Sequence, residues 1–166
     1  MSKQVIDLDL DKCCACGACA VACMDQNDIN TAEETPLRNV FTLENAEKGT
    51  VRYMSIGCMH CSDAPCVLSC PVGSLVKDEK TGLTIYNNEN CIGCHSCAFA
   101  CPFGAPSYDK KGKMHKCDGC ITRIECGYEP ACVRTCTVNA LQVLSEEEQK
   151  LKKTESSLKK LTDLIV

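Results

Sequence analysis

CIGCHSCAFACP, residues 91–102, is the stretch that decides the fold. It carries four cysteines separated by two, two and three residues, and it ends on a proline. Three thiols at this spacing wrap one cubane in a tight loop, and the fourth lies on the short helix that follows. The run therefore predicts a ligand loop for a [4Fe–4S] cluster, with Cys91, Cys94, Cys97 and Cys101 as candidate ligands.

Three further quartets repeat this run with wider gaps, so that sixteen of the eighteen cysteines fall into four groups. They are Cys13, Cys16, Cys19 and Cys23; Cys58, Cys61, Cys66 and Cys70; and Cys117, Cys120, Cys132 and Cys136. Such a repeat predicts two ferredoxin-like modules, in tandem or interleaved. In a two-cluster module the fourth cysteine of each run ligates the other cluster. Four quartets predict four [4Fe–4S] clusters.

Other uses of these cysteines are weaker. A disulfide framework is disfavoured because the chain shows no secretion signal. Zinc is an alternative for the fourth quartet alone, whose long middle gap resembles the spacer of a zinc ribbon. Of the two surplus cysteines, Cys14 is expected to be a small buried apolar side chain. Cys126 could replace Cys132, but Cys132 is preferred because its spacing to Cys136 repeats the end of the other quartets.

Composition agrees with a protein held together by metal. Cysteine makes up about 11% of the chain, while aromatic residues are only 4% and Trp is absent. We therefore expect the clusters to form part of the core and the metal-free chain to be largely unfolded. The formal charge is −4, and four cubanes of about −2 each would bring it to about −12, which disfavours a nucleic-acid partner. No signal peptide and no membrane span is recognised, so we expect a cytoplasmic protein.

Residues around the quartets have predicted supporting roles. Glycines beside the ligands would let backbone N–H groups approach the inorganic sulfur of the clusters; they are Gly17, Gly93 and Gly119. Because every quartet is complete, the three histidines are expected to surround the ligands rather than to bind metal; they are His60, His95 and His115. Cations flank the fourth quartet and would offset cluster charge; they are Lys116, Arg123 and Arg134. No phosphate loop, dinucleotide fingerprint or catalytic triad is found, which predicts a non-catalytic protein.

The secondary structure is predicted to be α+β. Strands are expected at 5–8, 51–55 and 83–86, and helical turns at 18–24, 65–70, 96–100 and 131–136. Residues 25–50 are polar and are interpreted as an excursion between runs. Ser145 and Glu148 form a capping box that begins a helix over residues 146–164. Its apolar stripe, Leu151, Leu158 and Ile165, either packs on its own domain, which is favoured, or docks on a partner or a neighbouring copy.

The pattern resembles the four-cluster ferredoxin-type electron-transfer subunits of molybdenum or tungsten pterin oxidoreductases. Similar subunits accompany dimethyl sulfoxide reductase, formate dehydrogenase, polysulfide reductase, formate hydrogenlyase and hydrogen-dependent carbon dioxide reductase. The matching stretches are CCACGACAVAC, CMHCSDAPCVLSCPVGSL, CIGCHSCAFACPFGAP and KCDGC…EPACVRTCTVNAL, within residues 5–142. Two departures concern the outer quartets: Met24 follows Cys23, and Thr137 replaces the usual proline after Cys136.

The resemblance implies an interleaved arrangement. The implied ligand sets are Cys13, Cys16, Cys19 and Cys136; Cys58, Cys61, Cys66 and Cys101; Cys91, Cys94, Cys97 and Cys70; and Cys117, Cys120, Cys132 and Cys23. Residues 1–144 would form one four-cluster unit, with an outer module of 1–24 and 111–144, an inner module of 51–110 and an insertion at 25–50. Residues 145–166 would form the C-terminal amphipathic helix.

The leading functional hypothesis is an electron relay in anaerobic metabolism. It would connect a catalytic subunit, a molybdenum or tungsten pterin enzyme or a hydrogenase, with a second redox protein. The membrane helix that some members of the family carry at their C-terminus is not found, so no membrane anchor is expected. One alternative is a scaffold whose residues 146–165 link copies into an oligomer or filament. The other is a polyferredoxin that diffuses freely between enzymes.

Overall fold

The computed structural model describes residues 3–165, with side chains described for residues 3–163. Short strands and mostly short helices follow one another, as an α+β fold requires. The strands are β1 Gln4–Leu8, β2 Arg38–Asn45, β3 Thr50–Gly57, β4 Leu75–Lys77, β5 Thr84–Tyr86, β6 Ser107–Tyr108, β7 Met114–His115 and β8 Leu141–Ser145. The helices are α1 Ala18–Gln26, α2 Pro65–Leu68, α3 Ser96–Ala100, α4 Ile121–Glu125, α5 Ala131–Arg134 and α6 Glu146–Ile165, and a 3₁₀ turn covers Asn88–Asn90.

The strands form four antiparallel pairs within the described residues. Three pairs join neighbours in the sequence: β2 with β3, β4 with β5, and β6 with β7. The fourth pair joins β1 to β8, with Leu8 opposite Leu141 and Gln4 opposite Ser145. The two ends of the cysteine-bearing region therefore lie side by side, although more than a hundred residues separate them in the chain.

Helix packing joins the cysteine runs in two pairs. Helix α1, which carries the end of the first run, packs against α5 of the fourth run. Helix α2 of the second run packs against α3 of the third run. Pro71 and Pro102 follow the last cysteines of the second and third runs. Because proline does not fit inside a helix, α2 and α3 end before those cysteines. Helix α1 has Met24 at that place and continues to Gln26.

The secondary structure predicted around the cysteine runs is observed, and the segment between the first two runs carries a strand that was not predicted. β1, β3 and β5 and helices α1, α2, α3 and α5 lie where strands and helical turns were expected. Within residues 25–50, the polar excursion between these runs, β2 forms and pairs with β3 along its whole length. Its Val40, Phe41 and Thr42 are β-branched or aromatic side chains that favour a strand.

Cysteines supply much of the core. One buried group consists of Ala64, Cys66, Leu75, Cys91, Cys97 and Met114. The other consists of Ile6, Cys19, Cys132, Val133 and Leu141. Both groups contain cysteines from two different runs, so the ligand side chains lie inside the protein and join its two halves.

The long helix α6 begins with the predicted capping box. The Ser145 backbone N–H donates to Glu148 Oε2 at 2.8 Å, and the Glu148 N–H donates to Ser145 Oγ at 3.2 Å. Its first turns contact β1 and β8, and Lys152 forms an ion pair of 2.6 Å with Asp7.

The favoured packing of the α6 stripe on its own domain is not observed. Leu151 is 61% exposed and Leu158 is 58% exposed, because the helix leaves the domain after its contacts with Asp7. The side chain of Ile165, the third member of the stripe, lies outside the described residues. No helix among residues 3–165 is long and apolar enough to cross a bilayer.

Candidate metal centres

The ligand loops are shaped by residues with left-handed backbone torsions. Gly93 (φ 68°) lies two residues after Cys91, and Gly119 (φ 80°) lies two residues after Cys117. Their N–H groups donate to Cys91 Sγ at 3.4 Å and to Cys117 Sγ at 3.3 Å. A Cβ at Gly93 would lie 2.6 Å from the carbonyl oxygen of Gly112. These N–H groups approach cysteine sulfur; their predicted approach to the inorganic sulfur of a cluster stays a prediction.

The last cysteine of a run receives a hydrogen bond from the backbone four residues later. The pairs are Ser74 N to Cys70 Sγ at 3.3 Å, Ala105 N to Cys101 Sγ at 3.4 Å, and Ala140 N to Cys136 Sγ at 3.2 Å. This geometry is kept at Cys136 although Thr137 stands where proline is usual. N–H groups aimed at a thiolate stabilise its negative charge.

In the first run, a side chain takes the place of the backbone donor to the last cysteine. Because α1 continues past Cys23, its backbone does not turn back toward that sulfur. Asn27 instead places its Nδ2 3.7 Å from Cys23 Sγ and donates to the Cys23 carbonyl at 2.7 Å. With Met24 in place of proline, the donor to Cys23 is a side chain instead of the backbone. The cysteine still lies in the core, where it is 4% exposed.

Two small cavities each bring three cysteines of one run beside the last cysteine of another. The cavity at the first run is lined by Cys13, Cys16, Cys19 and Cys136, with Val40, Ser55 and Leu141 among its other walls. The cavity at the third run is lined by Cys91, Cys94, Cys97 and Cys70, with Leu75, Tyr108 and Met114 among its other walls.

In the remaining two ligand groups, burial and neighbouring cysteines raise the pKa of a buried thiol. Burial raises the pKa of Cys66 to about 11, and the neighbouring Cys58 and Cys101 add to the rise. Burial raises the pKa of Cys23 to about 12, and Cys132 and Cys120 add to it. The packing of α2 on α3 and of α1 on α5 brings the same runs together. Because iron binds thiolates, these buried thiols must release their protons when metal binds.

Buried cations accompany the cysteines. Arg38 is 2% exposed and donates from Nη1 to Ser55 Oγ at 3.0 Å, and Ser55 Oγ lies 3.3 Å from Cys19 Sγ. Lys116 is 1% exposed and donates to the carbonyl oxygens of Thr84, at 2.6 Å, and Cys117. Neither cation forms an ion pair with a carboxylate within residues 3–163.

Two half-exposed lysines extend this pattern to the other runs. Lys77 Nζ donates to the Cys61 carbonyl at 2.8 Å, and Lys113 Nζ donates to the Cys91 carbonyl at 2.5 Å. Of the three predicted cations, only Lys116 donates to the backbone carbonyl of a cysteine. Arg123 instead donates to Glu129 O and Gln26 Oε1, and Arg134 is exposed. No sequence signal marks Arg38 or Lys77, because neither stands directly beside a cysteine in the chain.

These observations fit [4Fe–4S] clusters. The cavities offer four sulfurs each, backbone N–H groups face those sulfurs, and Arg38 Nη2 is buried with no hydrogen-bond partner among the described residues. A cubane of about −2 supplies the negative charge that the buried cations lack.

No three His, Cys, Asp or Glu side chains within residues 3–163 come together closely enough to hold a single metal ion. Cubane ligands bind four different irons and stand farther apart than the ligands of one ion, so this observation is compatible with clusters.

The surplus cysteines differ from the predicted ligands. Cys126 is exposed, whereas Cys132 is 4% exposed, in keeping with the preference for Cys132. The expectation that Cys14 is buried is wrong: it is exposed at the rim of the first cavity. Ile92, at the equivalent position of the third run, is likewise exposed (64%) and borders the cavity of that run. All eighteen cysteines lie in the described range, and none forms a disulfide there.

The three histidines have unequal surroundings. His95 is exposed and stacks on Tyr108 with ring centroids 3.7 Å apart, and His115 lies 3.4 Å from Tyr86 Oη. His60 is fully buried between the second and fourth runs. Burial and the nearby Lys116 and Lys77 hold the pKa of His60 well below its usual range, so its imidazole is neutral.

The fold and the cysteine sets together define the class: a small α+β iron–sulfur protein. Comparison with known proteins agrees. Residues 49–146 match the family model described as "4Fe-4S dicluster domain". The B subunit of the anaerobic dimethyl sulfoxide reductase of Haemophilus influenzae is 37% identical over 92% of this chain and 78% of its own length.

Two relatives from Escherichia coli extend the likeness. The B subunit of its anaerobic dimethyl sulfoxide reductase is 37% identical over 81% of this chain and 69% of its own. Its nitrate-inducible formate dehydrogenase iron–sulfur subunit is 31% identical over 85% of this chain and 54% of its own. The chain belongs to the 4Fe-4S dicluster family, among the iron–sulfur subunits of such oxidoreductases. The resemblance inferred from the cysteine runs is confirmed.

Proposed function

We propose that this protein relays single electrons through four [4Fe–4S] clusters between a catalytic oxidoreductase subunit and another redox partner. One observation carries the proposal: three cysteines of one run line a cavity together with the last cysteine of another run. Such sharing links neighbouring clusters through the same short helices. The relatives are iron–sulfur subunits, which supports a role in electron transfer rather than catalysis.

The proposed ligand sets follow the four groupings. They are Cys13, Cys16, Cys19 and Cys136; Cys58, Cys61, Cys66 and Cys101; Cys91, Cys94, Cys97 and Cys70; and Cys117, Cys120, Cys132 and Cys23. The cavities support the first and third sets, and the mutual effects on pKa support the second and fourth.

The same groupings support an interleaved architecture. An outer module of residues 1–24 and 111–144 would hold two clusters, and an inner module of 51–110 the other two, with 25–50 as an insertion and 145–166 as a C-terminal helix. The β1–β8 pair and the packing of α1 on α5 support the outer module, and the packing of α2 on α3 supports the inner one.

The protein's own residues set the conditions for transfer. When bound, the clusters supply one-electron chemistry, with potentials tuned by charge, burial and hydrogen bonds. Buried cations such as Arg38 and Lys116 favour the reduced, more negative state, and so do the N–H groups that face the sulfurs. The apolar walls around the cysteines exclude water and strengthen both effects.

The partner we propose is a large catalytic subunit, because the relatives are named as parts of dimethyl sulfoxide reductase and formate dehydrogenase. We propose that it is a molybdenum or tungsten pterin enzyme, that the complex lies in the cytoplasm, and that it binds no nucleic acid. Affinity purification of the tagged chain from anaerobic cells, followed by mass spectrometry, tests this. Recovery of the chain alone would contradict it and would favour a diffusing polyferredoxin.

Self-association through residues 146–165 stays a separate prediction. The exposed Leu151, Leu158 and Leu161 of α6 motivate it. The names of the relatives favour the relay over a purely scaffolding role.

The cluster count is tested by metal analysis of the anaerobically purified protein. We expect about 16 iron and 16 sulfide per chain, with EPR signals from four cubanes. About 12 iron together with one zinc would contradict the fourth cluster and restore the zinc alternative for the last quartet.

A further inference from the structure

His60 belongs to one run by sequence and to another by contact. It stands between Cys58 and Cys61 in the second run. Its side chain is fully buried, and its Nε2 lies 3.5 Å from the Sγ of Cys117 in the fourth run. Within the described residues, no other side chain of one ligand run forms a hydrogen bond with a cysteine sulfur of a different run.

The proton on the imidazole is placed by a backbone group. The Thr84 N–H donates to His60 Nδ1 at 3.0 Å, so Nδ1 carries a lone pair and no proton. In a neutral imidazole the proton then lies on Nε2. Nε2 is the atom that faces Cys117 Sγ, so the histidine donates and the sulfur accepts.

The ring is held in this orientation by its surroundings. A Cβ built on Gly119 would lie 3.1 Å from His60 Cε1 and 2.8 Å from Leu83 Cδ1, so the fourth run's loop presses closely on the ring. The His60 backbone carbonyl accepts from Lys77 Nζ at 3.3 Å. The hydrogen bond from Thr84 thus fixes one edge of the imidazole, and the loop of the fourth run packs against its Cε1 edge.

We propose that His60 is a positioning residue that donates a hydrogen bond to the Cys117 thiolate and thereby raises the reduction potential of the cluster bound by the fourth run. The proposal rests on the proposed assignment of Cys117 as a ligand. A donor to a cluster thiolate stabilises the reduced state more than the oxidised state, because the reduced cluster carries the larger negative charge.

The expected effect follows from the strength of such a bond. Hydrogen bonds to charged groups are among the stronger ones, and only the part of that strength that differs between the two redox states moves the potential. At the wild-type midpoint we therefore expect His60→Leu to lower the ratio of reduced to oxidised cluster about tenfold, which is a fall of ~59 mV for a one-electron couple.

The test is an EPR-monitored redox titration of the full-length protein with its clusters in place. His60→Leu should lower one of the four midpoint potentials, and His60→Gln, which keeps an N–H donor, should restore most of the difference. His95→Leu is the matched control, because it removes an exposed imidazole beside the ligand Cys94 and should leave that potential unchanged. Four intact clusters with unaltered potentials in His60→Leu would overturn the proposal.

A second measurement needs no variant at His60. With ¹⁵N-labelled histidine, the reduced wild-type protein should show hyperfine coupling between one histidine nitrogen and a cluster. The coupling should persist in His95→Leu and His115→Phe, which leaves His60 as its source. Its absence would overturn the proposal even if His60→Leu failed to fold. Wild-type protein with fewer than four clusters would instead contradict the proposed function, so the two failures are distinguishable.

Discussion

The side-chain amide of Asn27 lies 3.7 Å from Cys23 Sγ, where the other runs use the backbone N–H of the residue four places after their last cysteine. The cause is the length of α1, which passes Cys23 without a proline to end it. A continuing helix keeps its backbone N–H groups for its own carbonyls. The side chain of Asn27 is therefore the donor that faces Cys23 Sγ.

Removing that donor should lower a cluster potential. Asn27→Ala deletes both the contact with Cys23 Sγ and the 2.7 Å bond to the Cys23 carbonyl. Because hydrogen bonds to a thiolate favour the reduced cluster, we expect one midpoint potential to fall by several tens of millivolts, which corresponds to ~1 kcal/mol. EPR-monitored redox titration measures it. Asn88→Ala removes an amide from the 3₁₀ turn and should leave all four potentials in place.

The buried cation at the fourth run should matter for stability as well as for potential. Lys116→Met leaves the carbonyl oxygens of Thr84 and Cys117 without their donor and removes a positive charge from the interior. We expect a loss of about 1–3 kcal/mol in the free energy of unfolding and a lower potential at an adjacent cluster. Denaturant unfolding followed by cluster absorbance tests this. Lys111→Met, at an exposed position, should behave as wild type.

Alanine substitutions at two glycines should distinguish the free-energy cost of a left-handed backbone torsion from that of a steric clash. Gly93 and Gly104 both have positive φ, at 68° and 60°. A Cβ at Gly93 meets the Gly112 carbonyl at 2.6 Å, whereas nothing lies within 4 Å of a Cβ at Gly104. Gly104→Ala should cost about 1–2 kcal/mol for the left-handed torsion alone. Gly93→Ala should cost more and release iron sooner in denaturant. Equal losses would contradict the close approach at Gly93.

The fourth quartet offers a direct test of its ligands. Cys132→Ser should reduce the iron content by about four atoms per chain, the content of one cubane. Cys126→Ser should retain all of the iron, because that side chain is exposed and no cysteine run needs it. If Cys126→Ser loses iron and Cys132→Ser does not, the assignment within this quartet is reversed.

The exposed stripe of α6 predicts a surface that buries itself against another copy of the protein. Leu158→Lys should lower the mass in solution if copies associate through this face, and it should leave iron content unchanged. Ser156→Lys, which adds the same charge on another side of the helix, is the control. Light scattering after size exclusion measures the mass. Equal masses for wild type and Leu158→Lys would contradict self-association through this stripe.

Local sequence was enough to predict the cluster loops, but not the residues that surround them. The spacing of Cys91, Cys94 and Cys97 identifies a cluster loop because three ligands lie within one turn of chain. The burial of Arg38 could not be read in this way, since it depends on the register that sets Arg38 opposite Gly57. The contact of His60 with Cys117 is equally remote, because it needs β5 to present the Thr84 N–H to the ring.

The pairing of β1 with β8 also orders events during synthesis. Val5 and Ile6 are each 1% exposed in the folded protein, and the strand that covers them runs from Leu141 to Ser145. On the ribosome β1 therefore waits for β8, which is made more than a hundred residues later, while the hairpin of β4 and β5 soon has both its strands. A nascent chain cut short before Leu141 would display Val5 and Ile6 to solvent, where proteases and chaperones recognise exposed apolar residues.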